Sequence, residues 1–244
     1  MTDKRIGTSI KTGWVSVPRD GEAGFEAYEA RPDRPNGHVL VMLQEIFGIN
    51  ASIRASADRM ASEGYHVLAP DLFWRFEPHI ELAYDKEGMQ RAFDLLAKFD
   101  EPAAIDDIAA TMSLARGTVP GARGFHLVGF CLGGKLAVMA AAKAHPDSAV
   151  SFYGVGVEKD IGSLKEARCP LLLHYGGKDR FVPPEAVEAV QTAARECSDV
   201  EIHLYPEADH GFFSPGRPAH DPEASRLAWE RSVALFERTA DERR

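Results

Sequence analysis

Short apolar runs alternate along this chain with longer segments in which apolar residues return every three or four positions, and that alternation predicts its elements. Eight runs have strand character, at 14–17, 25–29, 38–43, 66–69, 125–129, 149–153, 171–175 and 201–205, most of them bounded by Gly or Pro. The first two alternate apolar with polar residues, as a strand does when one face meets water. Several later runs are continuously apolar, as in strands covered on both faces. An antiparallel hairpin at the edge of a mostly parallel sheet is therefore expected. Between the runs lie six segments of helical length and period, at 51–63, 87–99, 103–116, 134–144, 184–197 and 222–239. Helices between parallel strands imply right-handed crossovers that cover both faces of the sheet. The fold class predicted is α/β, with no internal repeat, and residues 1–244 read as one domain. Ligands of such open sheets bind beyond the carboxyl ends of the strands, so the residues just after each run matter most.

Composition narrows the function. With 45% hydrophobic and 27% charged residues the chain leaves no large disordered fraction. A formal net charge of −9 argues against a nucleic-acid partner, which would need clustered Lys and Arg to neutralise phosphates. The opening residues hold no apolar core of signal-peptide length, and no stretch approaches the roughly 20 apolar residues of a membrane span. No membrane partner and a cytoplasmic location are expected. Cys131, Cys169 and Cys197 form an odd, sparse set without disulfide-framework or zinc-site spacing, so no metal site is expected and each needs its own account. Cys169, before Pro170, and Cys197, late in a helical segment, read as structural.

The sequence Gly129-Phe130-Cys131-Leu132-Gly133-Gly134 falls between a strand run and a helical run. With serine in the middle, G-x-S-x-G in that place is a nucleophile elbow, a sharp turn whose small flanking residues let the nucleophile project above the sheet. Cys131 takes that place, at a helix N-terminus whose unpaired N–H groups and dipole favour a thiolate. The alternative is a small buried cysteine beside glycines that merely allow close strand–helix packing.

A nucleophilic cysteine needs a base and, later, an acid, and imidazole serves as both near neutral pH. His210, in Pro206-Glu207-Ala208-Asp209-His210-Gly211, follows the last strand run, where it can reach over the sheet end. The other eight histidines fall in strands, loops or helix ends that suit packing or surface roles. Asp179, after the Gly176-Gly177 turn, can fix the imidazole tautomer, although a turn aspartate in such a loop is also common. The order nucleophile, acid, histidine is that of α/β-hydrolases, and Cys131, Asp179 and His210 obey it. Asp209, adjacent to the histidine, points elsewhere. Gln44-Glu45-Ile46-Phe47-Gly48 follows the third strand run, where this fold supplies one oxyanion-hole amide; Ile46 and Leu132 make the natural pair. Glu45 there is either a partly buried carboxylate with a raised pKa, able to hold the thiol proton, or an exposed strand-end glutamate.

The motifs QEIFG, APDLF, GFCLGG, HYGGKDRFVP and DHGFF occur in this order over nearly the entire chain. Together they resemble the dienelactone hydrolase family of α/β-hydrolases. The resemblance implies the α/β-hydrolase fold, a mostly parallel sheet of about eight strands with helices on both faces. It also implies a Cys131, Asp179 and His210 triad, Glu45 as a thiol-linked auxiliary carboxylate, and an oxyanion hole at Ile46 and Leu132. The implied activity is hydrolysis of a lactone or small ester, without cofactor or metal, with dienelactone as one candidate substrate. Where family members hold a substrate carboxylate with two arginines, this chain places Met89 and Ser214, and Arg75, Arg91, Arg180 and Arg217 lie nearby in sequence. Phe47, Trp74, Phe93 and Phe212 line the pocket in this reading, with Arg75 beside them, or simply pack the core. A catalytically idle fold member, binding ligands or sensing redox state through Cys131, is the competing expectation, and a purely structural protein is the third. The oligomeric state is not fixed by the sequence.

Overall fold

The computed structural model describes residues 8–19, 21 and 23–242. One eight-stranded sheet contains β1 (Ile10–Val17), β2 (Phe25–Pro32), β3 (His38–Leu43), β4 (His66–Pro70), β5 (Gly124–Phe130), β6 (Ser148–Phe152), β7 (Leu171–Gly176) and β8 (Val200–Tyr205). In space the order is β1-β2-β4-β3-β5-β6-β7-β8. β1 and β2 form the antiparallel edge hairpin, β2 joins β4 antiparallel, and every pairing from β4 to β8 is parallel.

The helices are α1 (Ala51–Ser62), α2 (Lys86–Leu96), α3 (Glu101–Thr118), α4 (Leu132–Ala140), α5 (Ile161–Glu166), α6 (Pro184–Ala194) and α7 (Pro222–Asp241). Strand side chains alternate between two cores because the pleat has period two. Val39, Val41 and Leu43 of β3 pack with Ile108 of α3, Leu136 of α4 and Val190 of α6 on one face. Leu40 and Met42 pack with Met60 of α1 and Phe236 of α7 on the other. β3, β5, β6 and β7 are buried throughout, which is why their runs are mainly apolar, and their polar members His38, His126, Ser148, Ser151 and His174 are buried with them.

β1 starts four residues before its apolar run, because Ile10 to Thr12 continue the ladder with Pro32 to Ala30 while Lys11 and Thr12 face water. Backbone pairing at an edge does not require apolar side chains. α4 starts at Leu132, directly after Cys131, rather than at 134. A 3-10 turn (Val157–Lys159) and α5 were not anticipated, being too short for a helical period to register. Among the described residues no helix is long and apolar enough to cross a membrane. Of the opening seventeen residues behind the targeting expectation, 1–7 lie outside the described ones and 10–17 form β1.

Candidate active site

Three loops and one helix start converge at the carboxyl end of the sheet. Cys131 links β5 to α4 with φ 54° and ψ −113°, a conformation uncommon for any residue but glycine. The surrounding structure holds that strain: the Cys131 N–H donates to Phe152 O at 3.0 Å, and the Gly133 N–H donates to Gln44 O at 3.0 Å. A Cβ on Gly133 would lie 2.3 Å from Leu43 O, so only glycine lets the elbow close against the end of β3. That approach brings the segment of Ile46 beside Leu132, and both residues line the same cavity. Leu132 is the first residue of α4, where an amide has no acceptor within its own helix.

His210 Nδ1 lies 2.7 Å from Asp179 Oδ2. Asp179 Oδ1 accepts the N–H groups of Phe181 and Val182 at 2.8 and 3.2 Å, so the carboxylate is oriented from both sides. Tyr153 and Phe181 meet the imidazole edge-on, each with a centroid distance of 4.9 Å, and fix the ring plane. Burial alone would push the pKa of His210 down; its bonds to Asp179 and to Cys131 outweigh that and push it up to about 10. Asp209 accepts the backbone N–H of His210 at 2.6 Å and has no bond to the ring.

Glu45 is buried, and its partners are Arg217 and Tyr84. Arg217 Nη1 lies 2.8 and 3.1 Å from its two oxygens, and the Tyr84 hydroxyl donates at 2.8 Å. The Arg217 guanidinium also covers the Tyr84 ring at 4.3 Å. Burial, then the Glu45 charge, raises the Tyr84 pKa to about 12, so the phenol stays a donor. The exposed strand-end alternative for Glu45 is thus overturned.

The cavity holds about 260 Å³. Its walls include Phe47, Met89, Phe93, Leu96 and Phe181, with Cys131, His210 and Arg217 exposed to it. Phe47 and Phe93 are where the pocket reading put them. Trp74, Arg75 and Phe212 are not: Trp74 stacks on Phe25 and donates its indole N–H to Asp107, Arg75 pairs with the same buried Asp107, and Phe212 is wholly buried between Tyr153 and Tyr205. The unsolvated Asp107 carboxylate draws two neighbours away from the cavity. Met89 occupies the wall, Ser214 is buried against the Tyr153 hydroxyl at 3.4 Å, and the guanidinium comes from Arg217, one turn beyond Ser214. Tyr84, Lys135, Glu101 and Lys159 are the parts of the site that sequence reasoning missed. The strand-end position of Glu45, a buried charge seeking a partner, hinted at a residue such as Tyr84, whereas Lys135, Glu101 and Lys159 had no such signal. Among the described residues no group of three His, Cys, Asp or Glu side chains could hold a metal ion.

The family model described as "Dienelactone hydrolase family" matches residues 25–240. Carboxymethylenebutenolidase of Pseudomonas putida is 35% identical over 223 residues, spanning 91% of this chain and 94% of its own. Carboxymethylenebutenolidase of Pseudomonas sp. strain P51 is 32% identical over 228 residues, spanning 93% and 95%. A crystal structure assigned to the dienelactone hydrolases, from Klebsiella pneumoniae subsp. pneumoniae MGH 78578, superposes with a TM-score of 0.80 at 30% identity. That superposition covers 94% of this chain and 99% of the other, which places this sheet and its helices in the α/β-hydrolase fold.

Proposed function

This chain belongs to the dienelactone hydrolase family, and from that premise we propose that it cleaves a lactone or small carboxylic ester, as the name carboxymethylenebutenolidase implies for its relatives. Cys131 is the nucleophile, His210 the proton carrier and Asp179 the residue that orients it. The observation that carries this reading is the contact of His210 with Cys131 on one side and with Asp179, at 2.7 Å, on the other.

Cys131 Sγ attacks the substrate carbonyl as a thiolate, with its proton on His210. The carbonyl oxygen gains negative charge and takes hydrogen bonds from the Ile46 and Leu132 amides; one such donor is commonly worth about a hundredfold or more in rate. His210 then protonates the departing alkoxide, leaving a thioester on Cys131. In a lactone the alcohol stays tethered to the acyl group. Water, deprotonated by His210, attacks the thioester and returns the thiolate and imidazolium. Asp179 keeps the Nδ1 proton in place through each transfer.

Glu45 acts in this scheme through Arg217. While paired, the carboxylate neutralises the guanidinium and aims it into the cavity. Tyr84, donating to Glu45 at 2.8 Å, holds the carboxylate in that place. Relatives named as enzymes over nearly the whole chain weigh for turnover and against an idle binding or redox-sensing role.

The test is a panel of lactones and aryl esters assayed on wild type, Cys131→Ala and Cys131→Ser, with mass spectrometry of the quenched protein. Acylation at Cys131 and a rate loss of roughly a thousandfold or more in Cys131→Ala are expected. Turnover retained by Cys131→Ala sinks the proposal.

A further inference from the structure

The charged groups of the cavity are unevenly paired. Arg217 has Glu45, and Lys135 Nζ contacts both oxygens of Glu101 at 2.7 and 2.6 Å. Lys159 also lines the cavity, is exposed, and forms no ion pair among the described residues. In a chain of net charge −9 the site therefore keeps one cation in excess.

The local fold aims that cation. The loop after β6 leaves the elbow itself, where the Val155 N–H donates to Cys131 O at 3.4 Å. Gly156, at φ 91°, then reverses the chain into the 3-10 turn that ends at Lys159. A Cβ on Gly156 would lie 3.5 Å from the Lys135 Cδ, an ordinary contact distance, so the turn runs beside the Lys135 stem. Val157, fully buried in the core under this face, anchors the turn. Lys135 sits on α4 four residues after Cys131, about one helical turn from the sulfur, or roughly 6 Å along the axis. An ammonium has three donors, so two bonds to Glu101 leave Lys135 one to offer.

Strand order separates this end from Arg217's partner. Glu45 follows β3 and Lys159 follows β6, on opposite sides of β5 and Cys131. Two strand spacings amount to roughly 10 Å across the sheet. The wall residues Phe93, Leu96 and Val155 give the space an apolar lining that suits a hydrocarbon chain.

We infer that Lys159, with Lys135 behind it, forms a second anion subsite that selects esters or lactones carrying a carboxylate remote from the scissile carbonyl. This rests on the hydrolase reading above and adds a specificity-determining residue, on the side of Cys131 opposite Glu45. Because Lys159 is exposed, its attraction is screened by salt and modest in size.

The experiment compares the monoaryl ester of a straight-chain dicarboxylic acid with the aryl ester of the monocarboxylic acid of equal length. The quantity read is the ratio of their kcat/KM values, anionic over neutral, at low and at high ionic strength. Lys159→Glu is expected to lower that ratio roughly tenfold at low salt, Lys159→Gln about threefold, with both effects shrinking at high salt. The neutral ester reports that each variant is folded. A ratio equal to wild type in Lys159→Glu at low salt overturns the subsite. Neutral-ester turnover that survives Cys131→Ala overturns the hydrolase reading instead, so the two failures are distinct.

Discussion

Arg217 and Glu45, 172 residues apart in sequence, face each other at 2.8 and 3.1 Å in the wall of the cavity. Glu45 is almost entirely withdrawn from water and Arg217 largely so. Removing one partner of such a pair strands the other charge in a poorly solvated place, which typically costs about 3–5 kcal/mol; the Tyr84 bond that remains to Glu45 puts the expected loss at the low end. Arg217→Met should therefore lower unfolding stability by about 3 kcal/mol. Adding Glu45→Gln should recover most of it. Urea denaturation of both single variants and the double variant measures the coupling, and a double variant no more stable than Arg217→Met contradicts the pairing.

In the proposed mechanism the proton on His210 sets the alkaline limit of activity. Burial works against the imidazolium, but Asp179 and Cys131 prevail and raise its pKa to about 10. As pH rises through that value His210 loses the proton that the leaving alkoxide needs. Accordingly, kcat/KM should fall above about pH 10 for an ester stable enough to assay there. Asp179→Asn removes one raising contact, so its limb should move to lower pH by about one unit or more, alongside a loss in rate. A limb unmoved in Asp179→Asn assigns it to another group.

The parts of the fold that the sequence made readable are those written in local pattern. Both-face burial made β3, β5, β6 and β7 mainly apolar runs, and the alternation of β2 announced an edge hairpin. The proposed triad of Cys131, Asp179 and His210 was readable as a candidate because each follows a strand in a fixed chain order. Glu45 was readable as an anomaly, a charge ending an apolar strand, but its partners were not. Tyr84 and Arg217 reach it from loops with no period, and only folding brings them together. The same physics misplaced Trp74 and Arg75: a loop near the right strand end supplied the side chains, but the buried Asp107 of α3 holds both.

Gly129 tests the elbow itself. A Cβ there would fall 1.9 Å from Gly133 O, and backbone at a helix start cannot yield as a flexible side chain would. Gly129→Ala should cost about 3 kcal/mol or more, by the mechanism of core overpacking, and should lower activity in whatever fraction still folds. Gly117→Ala is the control, since nothing lies within 4 Å of a Cβ at that position and the residue is in α3. Calorimetric unfolding of the two variants side by side checks the contrast, and equal stability would remove the steric argument.

Acid should weaken the fold through buried histidines that stay neutral. His174 is inaccessible to water, bonded to the Tyr205 hydroxyl at 3.0 Å and close to the Ser232 hydroxyl at 3.3 Å; burial, then His203 and Arg231, holds its pKa well below the ordinary value. His38, 3.0 Å from His126, is lowered chiefly by burial as well, with Glu237 opposing. In the unfolded chain both take up a proton near pH 6.5, whereas the folded protein does not until lower pH. The unfolded state then binds more protons below about 6.5, so stability rises with pH through that window and falls on acidification. Each fully withheld proton contributes a slope of about 1.4 kcal/mol per pH unit. His174→Gln keeps an amide able to meet both hydroxyls but cannot titrate. Its unfolding free energy, followed by denaturant titration between pH 7 and pH 5, should fall less steeply than that of wild type. An identical slope in the two proteins would mean that His174 takes no part in the acid sensitivity.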